Sequence, residues 1–325
     1  MGYSSAVLGA VNSAATTVWC PMSPMSQDKT CDVLAVNAQR PMTAFRAFTL
    51  IEMLVVIGVI ALLLGLLLPA LHTVRQSGEK VRELSAARQL MVAYTAYAYD
   101  HRGVLMPGYY FLDGQMLPAY DEAGNELTGP GPVAARYVWR LAPYLDYNLH
   151  GLYLDERVLE QLSSQELYHY LISVFPSMGI NAVFVGGDTS YGLDDAEYEQ
   201  LFGRFYLTRL SHARRPADLI VFASARINGE TAQPVFGSTA PVEGFHRVYP
   251  PYRTSREWAE RYDVNCGWPD CKAADFGFVS LRHHFREAAI GFFDGHTGTL
   301  DEGQIQDMRH WADQATRPDW VLEPQ

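Results

Sequence analysis

Between Met53 and Leu71 the chain reads MLVVIGVIALLLGLLLPAL, without one charged residue. As a helix rising about 1.5 Å per residue, the run is roughly 28 Å long, close to the thickness of a bilayer's hydrocarbon core. It is apolar on every face, whereas a helix lying on a soluble core needs only one apolar stripe. These properties predict a membrane helix. A secretory signal peptide is the rival reading, but its apolar region is shorter, sits nearer the start and ends in a small-residue cleavage site. Here the run continues into HTVRQSGEKVRELSAARQ.

One residue before this run stands Glu52, four residues after Phe48. A carboxylate inside an apolar membrane segment is normally retained for a partner or a function. Two readings follow. In one, Glu52 merely snorkels to the interface. In the other, the chain is cut between Ala47 and Phe48, and the new α-amino group becomes the partner of Glu52.

The stretch AFTLIEMLVVIGVIALLLGLLLPAL resembles the N-terminus of type IV prepilins and type II secretion pseudopilins. Their pattern is a small residue, a cleavage point, Phe-Thr-Leu-x-Glu and an apolar helix; Ala47 stands where Gly is commonest. The resemblance implies that a prepilin peptidase removes the leader and methylates Phe48. It further implies that Glu52 pairs with the Phe48 amine of a neighbouring subunit as a filament assembles. Pro69 also matches the family. It has no N–H to offer the carbonyl of Gly65, so a kink or local melting is expected there. Gly58 and Gly65 would permit close approach of neighbouring helices, though glycine is common in membrane helices generally.

Beyond the membrane run, Val81, Leu84, Ala87, Met91, Tyr94 and Ala98 recur at spacings of three or four, predicting an amphipathic continuation of the same helix. Glu79, Lys80, Arg82, Glu83 and Arg88 are assigned to its other faces. Gly103 can stop it. The chain then divides into a leader (1–47), a transmembrane and amphipathic helix (48–102) and an exported head (103–325). Leaders of this kind are short, so Met42, which would leave MTAFRA before the cut, is expected to be the true start.

Lys and Arg number 25 against 36 Asp and Glu, a net charge of −11. The leader holds Lys29, Arg40 and Arg46 against Asp28 and Asp32, so its removal leaves the mature form one unit more negative. Such an acidic balance argues against nucleic-acid binding and for a soluble head, which is long enough to bury a sizeable core. Cys20 and Cys31 lie in the leader. That leaves Cys266 and Cys271 in VNCGWPDCKAAD, which would close a small loop in an oxidising compartment; free thiols or half of a zinc site are the alternatives.

The head reads as α+β. SSQELYHYLISVF carries a capping-box pattern from Ser163 to Glu166 and a helical stripe. INAVFVGG, DLIVFASAR, FGFVSLRHHF and AAIGFFDGH read as strands, being short, rich in Val, Ile and Phe, and bounded by Gly, Asp or Ser. DTSYGLDDAEYEQLFG reads as a loop and short helix, and residues 228–253 as mostly loop. Combined with the resemblance, the expected fold is pilin-like: a long N-terminal helix packed on a mainly antiparallel sheet, with extra loops.

A last motif lies near the C-terminus. Nine residues separate His284 from Asp294-Gly295, and His296 follows: HFREAAIGFFDGH. This is similar to the H-X9-DG signature of a bacterial class of large pseudopilin-like proteins that carry the same N-terminus. Asp-Gly after an apolar strand is a natural tight turn, and a structural role for His284, Asp294 and Gly295 is the favoured reading. Calcium held by Asp294 with Asp301 or Glu302, or a transition metal held by His283, His284, His296 and Asp294, are alternatives. No G-x-S-x-G, H-E-x-x-H or P-loop pattern points to catalysis. The resemblance thus implies a non-enzymatic subunit or accessory of a type II secretion pseudopilus or type IV pilus-like filament. It would be single-pass in the inner membrane with its head in the periplasm or envelope. Its expected partners are the prepilin peptidase, other pilin or pseudopilin subunits, the inner-membrane assembly platform and membrane lipid. The alternative is an envelope binding protein or enzyme that uses the helix only as an anchor.

Overall fold

The computed structural model describes residues 49–325 apart from 129–131, 154–158, 161, 163–166, 228–234, 236, 238–241, 253–257, 260–261, 263–275 and 283–285, and does not describe the side chains of residues 69, 70 and 72. The expected leader with Met42, the Ser163–Glu166 capping box and the Cys266–Cys271 loop fall outside the described residues. The chain divides into two units between Ile57 and Gly58.

Helix α1 spans Leu50–Asp100 and stays helical at every position, Pro69 included. Leu50 to Leu68 are exposed on all sides, and the helix is long and apolar enough to cross a membrane. Further on it becomes one-sided. Ala86, Ala87, Leu90, Met91, Tyr94 and Ala98 are buried at the spacing that stacks side chains on one helical face. Two residues depart from the sequence expectation: Val81 is 65% exposed, while Glu83, expected on a charged face, is fully buried. The buried stripe therefore includes a carboxylate, for which an internal cation is present, as described below.

α1 ends by backbone geometry rather than at Gly103 alone. The Gly103 amide donates to the Ala98 carbonyl at 2.7 Å and the Arg102 amide to that of Tyr99 at 3.1 Å. This pairing is a Schellman cap, which requires a left-handed residue at its turn. Arg102 occupies that position at φ 56°, and Gly103 follows at 81°.

The head is organised on a five-stranded sheet. Its strands are β3 (Met178–Asn181), β4 (Ile220–Ser224), β7 (Arg247–Val248), β8 (Glu287–Phe292) and β9 (Thr297–Asp301), in the spatial order β7-β3-β4-β8-β9. The β3–β4, β4–β8 and β8–β9 pairs are antiparallel and β3–β7 is parallel, so the sheet is mixed. Two small pairs lie apart from it: β1 (Phe111–Leu112) with β2 (Gln115–Met116), and β5 (Arg226–Ile227) with β6 (Val242–Glu243). β4 is buried along its whole length, as the centre of a sheet covered on both faces must be.

The buried side of α1 packs on this sheet. The Tyr94 ring meets Phe222 of β4 edge-on at 5.9 Å. A Cβ on Gly291 of β8 would lie 2.9 Å from Met91 Cγ, so the helix approaches the strand closely only because that position has no side chain. Tyr137, from the short helix Tyr137–Leu141, contacts Phe222 at 5.3 Å and donates its hydroxyl to the Met178 carbonyl at 2.6 Å. Elsewhere, Asn181 is fully buried and its amide nitrogen donates to the carbonyls of Ile220 and Trp311.

The α+β class and the helix at Ala196–Phe202 match expectation. Two of the expected strands differ. INAVFVGG contributes only its first residues to β3, because the chain turns back after Asn181, whose carbonyl accepts from the Val185 amide. FGFVSLRHHF forms no strand among its described residues; Gly277 and Phe278 are both left-handed, at φ 62° and 61°, which breaks an extended run. β6 and β7 both lie in the stretch 228–253 that the sequence marks as mostly loop, and β9 falls outside the expected strands.

Candidate functional site

The first described residues form a reciprocal cap. The Thr49 amide and hydroxyl each donate to Glu52 Oε2 at 2.8 Å, while the Glu52 amide donates to Thr49 Oγ1 at 3.3 Å. Thr-Leu-Ile-Glu is a capping box, in which residue and backbone satisfy each other's otherwise unbonded groups at a helix start. The Thr49-x-x-Glu52 spacing in the sequence is the local signal for this cap, separate from the charge of Glu52. Glu52 thus has an intrachain role at the N-terminus of α1, and Oε1 makes no hydrogen bond among the described residues. Ala47 and Phe48 lie outside those residues.

At the other end of the chain, Asp294 and Gly295 form the connection between β8 and β9. The Gly295 amide donates to the Phe292 carbonyl at 2.8 Å, the Phe292 amide donates to the His296 carbonyl at 3.0 Å, and Gly295 sits at φ 92°. This is the three-residue hairpin loop that requires a left-handed residue at its last position. Asp294 Oδ1 accepts from the His296 amide at 3.0 Å and contacts His296 Nδ1 at 2.5 Å. Partial burial works against ionisation of Asp294, but these bonds from His296 outweigh it and hold the carboxyl below its ordinary range. The His296 ring stacks on Phe292 at 4.3 Å.

The turn is also anchored from outside. The amides of Phe293 and Asp294 donate to the carbonyls of Leu219 and Pro216, at 2.9 and 3.0 Å. That segment is fixed in turn by Asp313, whose Oδ1 accepts from the amides of Arg214 and Arg215. His284, the first residue of the motif, lies outside the described residues, as does His283.

The hairpin does not bring the expected oxygen ligands together. Asp294 is at the turn, whereas Asp301 pairs with Glu287 at the open end, a full strand away. Asp301 caps the helix Glu302–Ile305 through a capping box with Gln304, and Glu302 accepts from the Tyr262 amide and from Arg286. Among the described residues no group of three His, Cys, Asp or Glu could hold a metal ion.

The buried Glu83 is met by Arg282, the residue just before His283. Arg282 Nη2 donates to Glu83 Oε1, Nε to Glu83 Oε2 at 3.2 Å, and Nη1 to Glu243 Oε2 at 2.5 Å. Arg282 Nη2 also donates to the Ser177 carbonyl at 2.7 Å. Burial alone would lower the Arg282 pKa, but the charges of Glu83 and Glu243 overcome it and raise the value. One guanidinium therefore ties α1, β6 and the approach to β3. A second link, between Lys80 and Glu287, joins α1 to β8.

A third polar cluster surrounds β7 and was not visible in the sequence. Arg247 Nη1 donates to Asp188 Oδ2 at 3.2 Å, and its guanidinium carbon lies 5.6 Å from the centres of the Tyr109 and Tyr191 rings. The adjacent His246 is buried, and its ring centre is 6.1 Å from that of Tyr109. Arg136 Nη1 donates to the Pro132 carbonyl and to Ser173 Oγ at 3.1 and 3.0 Å, and its guanidinium lies 4.7 Å over Tyr170. Short bridges from Tyr109 to Arg136 and to Asp188 bring these segments together. Burial, reinforced by the charges of Arg136 and Arg247, pushes His246 well below the ordinary histidine range, so it is neutral at physiological pH.

Compared with known protein families, curated proteins and solved structures, the chain matches none.

Proposed function

We propose that this chain is a prepilin-like subunit or accessory of a type II secretion pseudopilus or type IV pilus-like filament. It is cleaved before Phe48, methylated there, and held in the inner membrane by the first half of α1 with its head in the periplasm or envelope. The observation that carries the reading is the division of α1. One continuous helix offers an exposed apolar half to lipid or to neighbouring helices and a buried half to its own head. An anchor joined to its head by a flexible linker would not need that continuity.

The Thr49–Glu52 cap is compatible with this role. Thr49 would be the second mature residue, so cleavage before Phe48 leaves the capping pair intact. Glu52 Oε2 is engaged within the chain, leaving Oε1 to meet the α-amino group of a neighbouring subunit. The Asp294-Gly295 turn belongs to the stability of the head on this reading, and the protein acts by assembly rather than catalysis.

The test is the mature N-terminus, determined by mass spectrometry of membrane-extracted protein from cells with and without the prepilin peptidase. N-methylated Phe48 only in the presence of the peptidase is the expected result. An unprocessed leader in both strains would reduce α1 to an anchor. The basic and aromatic cluster around β7 would then favour the second reading, an anchored binding protein.

A further inference from the structure

Arg136, His246 and Arg247 leave several polar atoms unanswered in one small region. Arg136 Nε, Arg247 Nε and both ring nitrogens of His246 are shut off from solvent without a hydrogen-bond partner. The Val174 carbonyl opposes burial in setting the His246 pKa, and burial outweighs it. Buried donors are nearly always satisfied in native proteins, because an unmade bond leaves the desolvation cost uncompensated. Several in one cluster call for partners from outside the chain, ordered water or a ligand.

Charge gives the sign of the missing group. Asp188 neutralises Arg247, whereas Arg136 meets the Pro132 carbonyl, the Ser173 hydroxyl and Tyr170 and no carboxylate among the described residues. The cluster thus holds two guanidiniums and one carboxylate, with the buried His246 imidazole beside them. Each arginine has committed Nη1 and kept Nε, and a guanidinium edge that includes Nε matches the two oxygens of a carboxylate. The Arg247 side chain is 21% exposed, and Tyr109, Tyr170 and Tyr191 are only partly buried, so the cluster reaches the surface beside aromatic rings. A ring can lie against such a rim while its anionic substituent points inward.

We propose that Arg136, His246 and Arg247 form a binding site for a small carboxylate carried on a flat ring, with Tyr109, Tyr170 and Tyr191 as its rim. The site is independent of the filament reading. It lies wholly within the head and needs neither cleavage nor assembly.

The experiment is calorimetric titration of the full-length protein in detergent micelles with benzoate and, separately, with its neutral isostere benzamide. Saturable binding of benzoate at least tenfold tighter than that of benzamide is expected. Arg136→Lys and Arg247→Lys retain the positive charge but remove the Nε edge, and each should weaken benzoate at least tenfold while the circular dichroism spectrum is unchanged. If either variant fails to fold, His246→Asn supplies the comparison, with a loss of at least threefold expected. Absence of saturable benzoate binding would overturn the proposal. Equal binding of benzoate and benzamide, or wild-type affinity in the folded variants, would do the same.

Discussion

Glu83 and Arg282 are 199 residues apart in the chain and form a two-point ion pair in the interior of the head. The Glu83 side chain is fully buried and that of Arg282 is 12% exposed, so neither can be compensated by bulk water once the other is lost. Breaking a buried pair by removing one partner costs about 3–5 kcal/mol where the other charge is left uncompensated; here Glu243 still accepts from Arg282 Nη1 and lessens the loss when Glu83 is removed. Glu83→Ala is therefore expected to lower the melting temperature of the full-length protein. Glu83→Met with Arg282→Met should recover most of the loss, and calorimetric melting of both forms checks the pair.

Gly291 is expected to tolerate no side chain. A Cβ there would stand 2.9 Å from Met91 Cγ and 3.4 Å from the Ala87 carbonyl oxygen. Overpacking of this kind costs about 1–3 kcal/mol. Gly291→Ala should destabilise by that amount in chemical denaturation, and adding Met91→Ala should give less than the sum of the two single losses, since residues in contact are not additive.

Gly295 should behave differently. Nothing lies within 4 Å of where its Cβ would be, but its φ of 92° is left-handed. Gly295→Ala is expected to cost about 1 kcal/mol through backbone conformation alone, and Gly295→Asn less, since Asn enters that region more readily. The same denaturation measurement on three proteins separates strain from crowding.

Asp294 predicts a pH dependence. Its folded pKa lies below the ordinary value of 3.8. The stability it contributes is therefore complete above the unfolded value and lost as pH falls through the folded one. The side chain is 35% exposed, so the effect is less than about 1 kcal/mol. Asp294→Asn should flatten the acid side of the melting temperature profile below about pH 4 and leave the neutral side unchanged in shape.

Thr49→Ala removes one half of the cap at the start of α1 and should cost about 1 kcal/mol of local helix stability. Faster hydrogen exchange confined to the first turn is the measurement. Glu52→Ala should fray the same turn and still insert in membranes. On the filament reading it should also abolish recovery in assembled filaments, whereas Thr49→Ala should reduce it only partly.

What the sequence made legible follows from how local each signal is. The apolar run, the buried stripe from Ala87 to Ala98 and the hairpin turn at Asp294-Gly295 all rest on spacings of a few residues, and the structure has them. Val81 and Glu83 were exchanged between faces because Glu83 is buried only by virtue of Arg282, a partner no periodicity announces. β7 is two residues long and parallel to β3, so it carries no alternation to detect. The cluster of Arg136, Asp188, His246 and Arg247 is assembled from separate segments by tertiary contacts. Two signals were present and missed: Thr49-x-x-Glu52, and Asp113-Gly114 in the turn between β1 and β2, where both residues are left-handed at φ 50° and 78°. The roles expected of Ala47, Phe48, His284, Cys266 and Cys271 concern residues outside those described.

The buried half of α1 also decides where this protein can be cut. Leu90, Met91 and Tyr94 are part of the head's interior, and Glu83 answers its buried guanidinium. A soluble fragment beginning at residue 103 would uncover the face of β4 and β8 that these side chains occupy and strand Arg282 without its deepest carboxylate. A fragment retaining Lys80 and everything after it would keep that interior closed while shedding the membrane-length run. In this protein the membrane-length run and the foldable portion share one helix, and the boundary between them falls partway along it.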